Sequence, residues 1–287
     1  MKVGTIIDGI STDIDIICKV MNETGVKYAE FQSCNGKRIE ENTVEDAKLF
    51  KSVADKHGII PCCVTTHAFA GIPIGSLEVG DETYNKQMEL LKNGIAIARV
   101  LKAPYVRSMT FTKAIVTWGY HGSEKWNAGG NQSWGKFLKL FEPIAQLAED
   151  EGIDILVETC FNSMNTSAYL TKKMIEDLGA KRIKLLWDPC NALYWHEYPT
   201  VELYESIRDI LGHIHIKDGK VDCVKAEVDF RPIGRGMLAP YLSDLADALR
   251  RDNYQGCITL ENVLKPDGKD FIDGYYTDIP ELIKIFG

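Results

Sequence analysis

The chain of 287 residues is long enough for one large α/β barrel or for two ordinary domains. Its 45% hydrophobic and 26% charged residues are typical of a soluble globular protein. The 41 acidic and 33 basic residues give a formal net charge of −8, which disfavours nucleic acid and anionic membranes as partners. No apolar run approaches the roughly 18 residues of a membrane-spanning helix.

Eight cysteines are spread along the chain, and Cys62 and Cys63 are adjacent. No pair has the C-x-x-C spacing of a zinc ribbon or a thioredoxin-type site. Scattered cysteines of this kind are typical of free, mostly buried thiols in a reducing compartment. Because the amino terminus also lacks a signal-peptide pattern, we expect a cytoplasmic protein.

Short apolar stretches alternate with helical stretches through the first part of the chain. Strands are predicted at 3–7, 28–32, 59–66 and 105–109. Helices are predicted at 14–22, 44–57 and 81–102. The third helix has apolar residues at helical spacing, as at Met88, Leu91 and Ile95, and Pro104 follows its end.

A long polar segment at 110–132 separates the fourth strand from the next helix. It contains Trp118, Trp126 and a Gly129-Gly130 pair. Loops of this length in a compact domain are usually functional or disordered, and the aromatic residues argue against disorder. We therefore predict a lid that orders over a ligand, with Trp118 placed to stack on the C–H face of a sugar.

The second half repeats a unit in which an apolar strand closes on a charged residue and a helix follows. The strands run to Glu158, Asp188, His215-Ile-Lys217 and Glu261. Helices are predicted at 133–151, 166–178, 201–211, 239–251 and 279–285, with an irregular loop at 218–237. In the third strand, His213, His215 and Lys217 are spaced two apart and so share one face.

Eight successive strand–helix units predict a closed parallel barrel, a (β/α)8 TIM barrel that forms a single domain over residues 1–287. The 30 residues from Glu158 to Asp188 and the 27 from Asp188 to His215 each fit one such unit. An open doubly wound sheet is the alternative. If it bound a dinucleotide, it would need a glycine-rich first strand–helix turn, which the sequence lacks.

Four strand-end residues would converge at the carboxyl-terminal face of such a barrel, where catalytic groups of this fold lie. They are Glu158, Asp188, His215 and Glu261. Taken singly, each acid could be a helix cap or a salt-bridged loop residue, and the histidine a satisfied core residue. Together, three carboxylates and one imidazole favour one divalent metal ion, Mn²⁺ first, then Mg²⁺ or Co²⁺, with Zn²⁺ as a further option.

A divalent metal site of this kind indicates proton-transfer chemistry on a sugar. An ion held by neighbouring sugar oxygens polarises a carbonyl and acidifies the adjacent C–H bond. Removal of that proton needs a general base, and its return needs an acid. Glu158 and Glu261, on the fifth and eighth strands, are placed to flank the substrate from opposite sides, so we predict them as the catalytic pair.

The same residues resemble a known family. The motifs are Val157-Glu158-Thr159, Trp187-Asp188-Pro189, His213-Ile-His215-Ile-Lys217-Asp218, Gly234-Arg-Gly236 and Leu260-Glu261-Asn262. They resemble the xylose-isomerase-like TIM-barrel superfamily, and within it the sugar phosphate isomerases and epimerases. The resemblance implies that Glu158, Asp188, His215 and Glu261 are metal ligands, and that the two glutamates are the acid–base pair of ketose 3-epimerases.

The resemblance also implies residues around the substrate. His213 would lie near the site without binding the metal, and Lys217 and Arg231 are candidates for contact with a substrate hydroxyl, carboxylate or phosphate. Further candidate substrate contacts are His67, Asn191 and Trp118. Asn191 stands where ketose 3-epimerases have a substrate-binding histidine, and Ile216-Lys217 stands where they have Gly-Glu. Both departures weigh against a 3-epimerase of free ketohexoses.

We therefore expect a metal-dependent isomerase or epimerase of a sugar, keto-sugar or sugar phosphate, acting through an enediolate. The alternative is a metal-dependent dehydratase of the inosose or dehydroshikimate type. The acidic charge and the presence of only six histidines weigh against a relative of endonuclease IV, and the complete ligand set weighs against a non-catalytic binding protein. The expected partner is a small carbohydrate, without nucleic acid or membrane, and self-association is left open.

Overall fold

Eight parallel strands close into a barrel in the computed structural model, which describes residues 1–112 and 133–287. The strands are β1 (Lys2–Ile6), β2 (Tyr28–Phe31), β3 (Ile60–Thr65), β4 (Tyr105–Ser108), β5 (Asp154–Glu158), β6 (Ile183–Trp187), β7 (Leu211–Ile216) and β8 (Cys257–Leu260). Each strand lies beside its predecessor in the chain, and β8 pairs with β1. The predicted (β/α)8 TIM barrel is confirmed.

Helices surround the barrel between successive strands. They are α1 (Ile14–Thr24), α2 (Val44–Lys56), α3 (Glu82–Leu101), α4 (Ser133–Glu151), α5 (Ala168–Leu178), α6 (Val201–Ile207), α7 (Ala239–Arg251) and α8 (Phe271–Phe286). Local sequence sets many of their ends. Thr43 and Asp46 form a reciprocal capping box at the start of α2, and Gly25 ends α1 in the left-handed conformation at φ 83°.

The hydrophobic core lies mainly between the strands and the helices, where Phe31, Phe50 and Ile155 are completely buried. Inside the barrel, the apolar filling is small: Leu156 and Leu186 belong to a separate buried cluster. Alternate residues of every strand face the barrel interior. Towards the carboxyl ends of the strands, these inward positions carry buried polar side chains, namely Glu30, Thr65, Arg107, Glu158, His213, His215 and Thr259.

Three segments differ from the prediction made from the sequence. The segment after β7, predicted to be irregular, contains an antiparallel hairpin of Asp218–Asp222 and Glu227–Arg231. A short helix, Pro189–Ala192, follows β6 directly. The last helix begins at Phe271 and not at 279. A proline is typical of a helix start, but here α8 passes through Pro280.

Residues 113–132, which make up most of the predicted lid, lie outside the described residues. Trp118 lies there too, so its stacking role and the lid stay predictions. Among the described residues, no helix is long and apolar enough to cross a membrane. All eight cysteines are unpaired, as expected, and Cys223 is the one with an exposed side chain.

Candidate active site

The carboxyl ends of β5 to β8 bring the four predicted metal ligands together. Glu158, Asp188, His215 and Glu261 each offer one ligand atom, and these atoms all lie within 4.8 Å of one another. Asp188 and His215 are completely buried, whereas the Glu261 side chain is 26% exposed. Because parallel barrel strands all end on one face, acids that close successive strands meet there.

Asp188 contacts two neighbours with different oxygens. It caps the short helix Pro189–Ala192, because Oδ1 accepts a hydrogen bond from the Asn191 backbone N–H at 3.0 Å. Its Oδ2 accepts a hydrogen bond from Lys217 Nζ at 2.5 Å. A capping role and a role in the charged cluster are therefore compatible, and the cap helps to fix the orientation of the carboxylate.

The His215 ring lies between two carboxylates. Its Nδ1 is 3.3 Å from Oε1 of Glu158 and 3.7 Å from Oε2 of Glu261. Burial alone would lower the pKa of His215, but the Glu30 and Glu158 carboxylates outweigh burial and raise this pKa well above its usual range. The carboxylates therefore favour positive charge at this point of the barrel.

Lys217 supplies one positive charge to the cluster. Its Nζ donates hydrogen bonds to the carboxylates of Asp188 and Glu261. Burial, together with the charges of Glu261 and Glu158, nevertheless raises the pKa of Asp188 to about 7 although Lys217 opposes the shift. The three carboxylates thus carry more negative charge than Lys217 balances. Oxygen donors with one imidazole suit a hard or borderline divalent ion, so the residues fit the predicted metal.

Arg107, which was not predicted from the sequence, is the buried counter-ion of Glu158. Its Nη1 donates to Oε2 of Glu158 at 2.6 Å, and its Nε donates to the Thr66 carbonyl oxygen at 3.1 Å. Burial would raise the pKa of Glu158, but Arg107 and His215 lower it to about 2, so this carboxylate is ionised at neutral pH. The sequence feature that could have indicated this ion pair is an arginine within a short predicted strand, because a buried arginine needs a partner.

A cavity of about 540 Å³ opens above the cluster, within the range of small-molecule sites. Its polar lining includes Arg107, Glu158, Lys217, Glu261, His67 and Asn191. Its apolar lining includes Phe161, Tyr194, Val228 and Phe230, the last two from the hairpin after β7. A ligand here would meet charged groups at the barrel end and aromatic rings nearer the solvent.

His67 and Asn191 line this cavity, and their roles as substrate contacts stay predictions. The Asn191 amide donates to the Thr159 carbonyl oxygen at 3.0 Å and lies 3.5 Å from Oε1 of Glu158. Burial and the Arg107 charge lower the pKa of His67 to about 3, so its ring is neutral at physiological pH. Its Nδ1 has no hydrogen-bond partner among the described residues, which favours an added polar partner there.

Two of the predicted substrate contacts are not among the residues that line this cavity. His213 is completely buried below the cluster, where its Nε2 lies 2.9 Å from Oε2 of Glu30 and 3.0 Å from Oγ1 of Thr259. The ring shares a face with His215 but lies one inward position deeper along β7. Arg231 is 45% exposed and pairs with Asp229 on its own hairpin strand. His213 thus makes an internal contact and Arg231 a surface ion pair, and their roles as substrate contacts stay predictions.

A sequence model described as the xylose isomerase-like TIM barrel matches residues 18–272. The chain belongs to this family. The match confirms the family resemblance predicted from the strand-end motifs. Among curated proteins, none matches the chain significantly.

Solved structures of other proteins superpose on nearly the whole chain. The apo 3-keto-D-glucoside 4-epimerase of E. coli is 17% identical, with 99% of each chain covered and a TM-score of 0.72. The probable 3-DHS dehydratase of Bacillus anthracis, involved in petrobactin synthesis, is 12% identical, with 99% of each chain covered and a TM-score of 0.72. The D-psicose 3-epimerase of Clostridium cellulolyticum H10 with D-tagatose is 15% identical, covers 100% of this chain and 96% of its own, and has a TM-score of 0.67. At these identities the similarity shows the fold alone.

Proposed function

We propose that the protein is a metal-dependent epimerase or isomerase of a keto-sugar, with Glu158 and Glu261 as the proton-transferring pair. The observation that carries this proposal is the convergence of Glu158, Asp188, His215 and Glu261, whose ligand atoms lie within 4.8 Å of one another beside a sugar-sized cavity. The similar structures include a 3-keto-D-glucoside 4-epimerase and a D-psicose 3-epimerase, which supports this class of reaction.

The metal ion would be held by the four clustered residues, with Asp188 and His215 as its most deeply buried ligands. When bound, such an ion polarises a carbonyl and stabilises the negative charge that develops as the neighbouring C–H bond breaks. Mn²⁺ is our first expectation, because a donor set of three carboxylates and one imidazole suits this ion. Lys217 lies within the same cluster and would share Asp188 and Glu261 with the ion.

The two glutamates would transfer protons on opposite faces of a substrate carbon. Glu158 ends β5 and Glu261 directly follows β8, and their nearest oxygens lie 3.3 and 3.7 Å from the His215 Nδ1. One glutamate removes the proton from one face, and the other, already protonated, returns a proton to the other face. The proton bound at the end of a turnover is then on the opposite glutamate, and exchange with solvent resets the pair.

The remaining cavity residues would bind the sugar. Arg107 and Lys217 offer cationic donors, and Asn191 and His67 offer neutral polar groups. Phe161 and Phe230 are 46% and 39% exposed and offer aromatic faces to apolar parts of a ligand. A small carbohydrate as the partner and a cytoplasmic location stay predictions, and self-association stays open.

A dehydratase is the second candidate, favoured by one observation. Lys217 Nζ lies against the candidate base Glu261, so a protonated amine stands beside a carboxylate in the same cavity. Such a pair could remove a proton and then protonate a departing hydroxyl group. The barrel shared with a probable 3-DHS dehydratase is consistent with this chemistry.

The test is a substrate panel in D₂O with the Mn²⁺-loaded protein. Ketohexoses, ketose phosphates, 3-keto-glucosides, inososes and 3-dehydroshikimate are each incubated, and products are analysed by NMR and mass spectrometry. We expect an epimer or isomer of a keto-sugar that carries deuterium at the reacting carbon. A product lighter by one water would support the dehydratase instead.

Two further outcomes would contradict both candidates. Binding of a panel sugar without conversion or deuterium exchange would indicate a carbohydrate-binding protein on a retained barrel. Cleavage of DNA at abasic sites by the metal-loaded protein would indicate a nuclease. In the substrate panel, the matched control is Glu158→Gln, which keeps the approximate shape of the side chain and removes its basicity.

A further inference from the structure

Glu30, on β2, is a completely buried carboxylate below the cavity that does not line it. Its two oxygens lie 2.9 and 3.0 Å from Nε2 of His215. Oε2 also contacts His213 Nε2 at 2.9 Å and accepts from Thr259 Oγ1 at 2.8 Å, while Oε1 accepts from the Thr65 hydroxyl. A buried carboxylate is costly unless it is paired, and here four side chains from β3, β7 and β8 surround it.

This contact determines which nitrogen of His215 faces the candidate metal site. Nε2 is directed at Glu30, so Nδ1 is the nitrogen that remains for the ligand cluster. Nδ1 indeed lies 3.3 Å from Oε1 of Glu158, on the opposite side of the ring. A metal-binding histidine commonly donates its second N–H to a carboxylate, which fixes the ring orientation and the proton position.

We propose that Glu30 is a positioning residue for the metal site. It accepts the Nε2–H of His215 and thereby directs the Nδ1 lone pair towards Glu158, Asp188 and Glu261. The inference rests on the proposed metal site but not on the identity of the sugar or of the reaction. His213 has a different role: it contacts Glu30 from the deeper side, and its Nδ1 has no hydrogen-bond partner among the described residues.

The experiment measures Mn²⁺ binding by chelator competition in the 287-residue chain, without substrate. Glu30→Gln is nearly isosteric, but it removes the charge and replaces one acceptor oxygen with an amide donor. We expect Mn²⁺ to bind about 10- to 100-fold more weakly. Glu30→Asp keeps the charge and should recover part of the affinity.

Thr259→Val is the matched control for a merely structural effect. It removes one hydrogen bond to the same Oε2 of Glu30 and approximately keeps the side-chain volume, but it leaves the His215 contact in place. We expect its Mn²⁺ affinity to stay close to that of the wild type. Melting temperatures without metal are measured for all variants, so that loss of folding is separated from loss of the site.

Nitrogen-15 NMR of the histidine rings provides a second readout that general destabilisation does not produce. In the metal-free wild type, we expect the proton on His215 Nε2 to be hydrogen-bonded to Glu30, and Glu30→Gln should shift this Nε2–H signal. Unchanged Mn²⁺ affinity and an unchanged ring signal in folded Glu30→Gln would overturn the proposal. A wild type that binds no Mn²⁺ would overturn the metal site itself, while the NMR comparison would still decide whether Glu30 orients the ring.

Discussion

The two halves of the barrel supply different kinds of side chain to one site. Strands β5 to β8 end in the four candidate ligands. Strands β2 and β4 instead supply groups that hold those ligands: Glu30 contacts His215, and Arg107 binds Glu158. The difference shows how a barrel can bury several charges. Because the strands close on themselves, a counter-charge on one half reaches a ligand on the other half within hydrogen-bond distance.

The largest expected effect comes from removing a candidate ligand from the second half. Asp188→Ala should abolish binding of one Mn²⁺ per chain, because the remaining groups lose a buried oxygen donor. Elemental analysis after gel filtration measures the stoichiometry, and circular dichroism checks the fold. Gln32→Ala, a cavity-lining change on the first half, should keep its metal. Full occupancy in folded Asp188→Ala would remove Asp188 from the proposed ligand set.

The two glutamates should be equivalent in importance although their surroundings differ. Glu158→Gln and Glu261→Gln should each lower kcat by at least about 10²-fold on the substrate found in the panel, as is typical of lost acid–base catalysis. With one base gone, deuterium exchange from the surviving face should persist while net conversion stops. Glu227→Gln is the control, because Glu227 lines the same cavity but is not in the cluster. Near-normal turnover in either variant with metal bound would contradict the two-base mechanism.

Arg107→Met tests the supporting half directly. It leaves the buried Glu158 carboxylate without its guanidinium partner, so the free energy of unfolding in the absence of metal should fall by about 3–5 kcal/mol. Urea denaturation measures this loss. The matched control is Arg182→Met, which breaks ion pairs of a side chain that is 41% exposed and should cost less than about 1 kcal/mol. Equal losses in the two variants would mean that the Arg107–Glu158 pair is not a special feature of the site.

The smallest effect near neutral pH concerns acid sensitivity and His67, which follows β3. Its pKa in the folded protein is lowered to about 3 by burial and Arg107, whereas the unfolded chain binds this proton near the ordinary pKa of about 6.5. The contribution of neutral His67 to the free energy of unfolding is therefore complete above about pH 6.5. It declines as the pH falls towards 3, by at most about 1.4 kcal/mol per pH unit. His67→Gln cannot take up this proton and should flatten the slope. Urea unfolding at several pH values checks it, and parallel slopes would contradict the assignment.

Much of the second half could be predicted from the sequence. Period-two patterns locate the strands, and a polar residue at a strand end must lie on the catalytic face once the strands are parallel. Glu158, Asp188, His215 and Glu261 follow from that local information, and the family match agrees with the motifs that contain them. The start of α8 could not be predicted as well, because Pro280 imitates a helix start although the helix continues through it.

The barrel, the face that carries the candidate site and the chemical type of the candidate ligands could be predicted from sequence alone, because these depend on spacing along single strands. Which side chains meet across the barrel could be seen only in the three-dimensional structure. Glu30 and His215 are 185 positions apart in the chain, and Arg107 and Glu158 are 51 apart. The structure also shows that His213 is internal while His67 reaches the cavity. These outcomes depend on strand register and barrel closure, which no local pattern encodes.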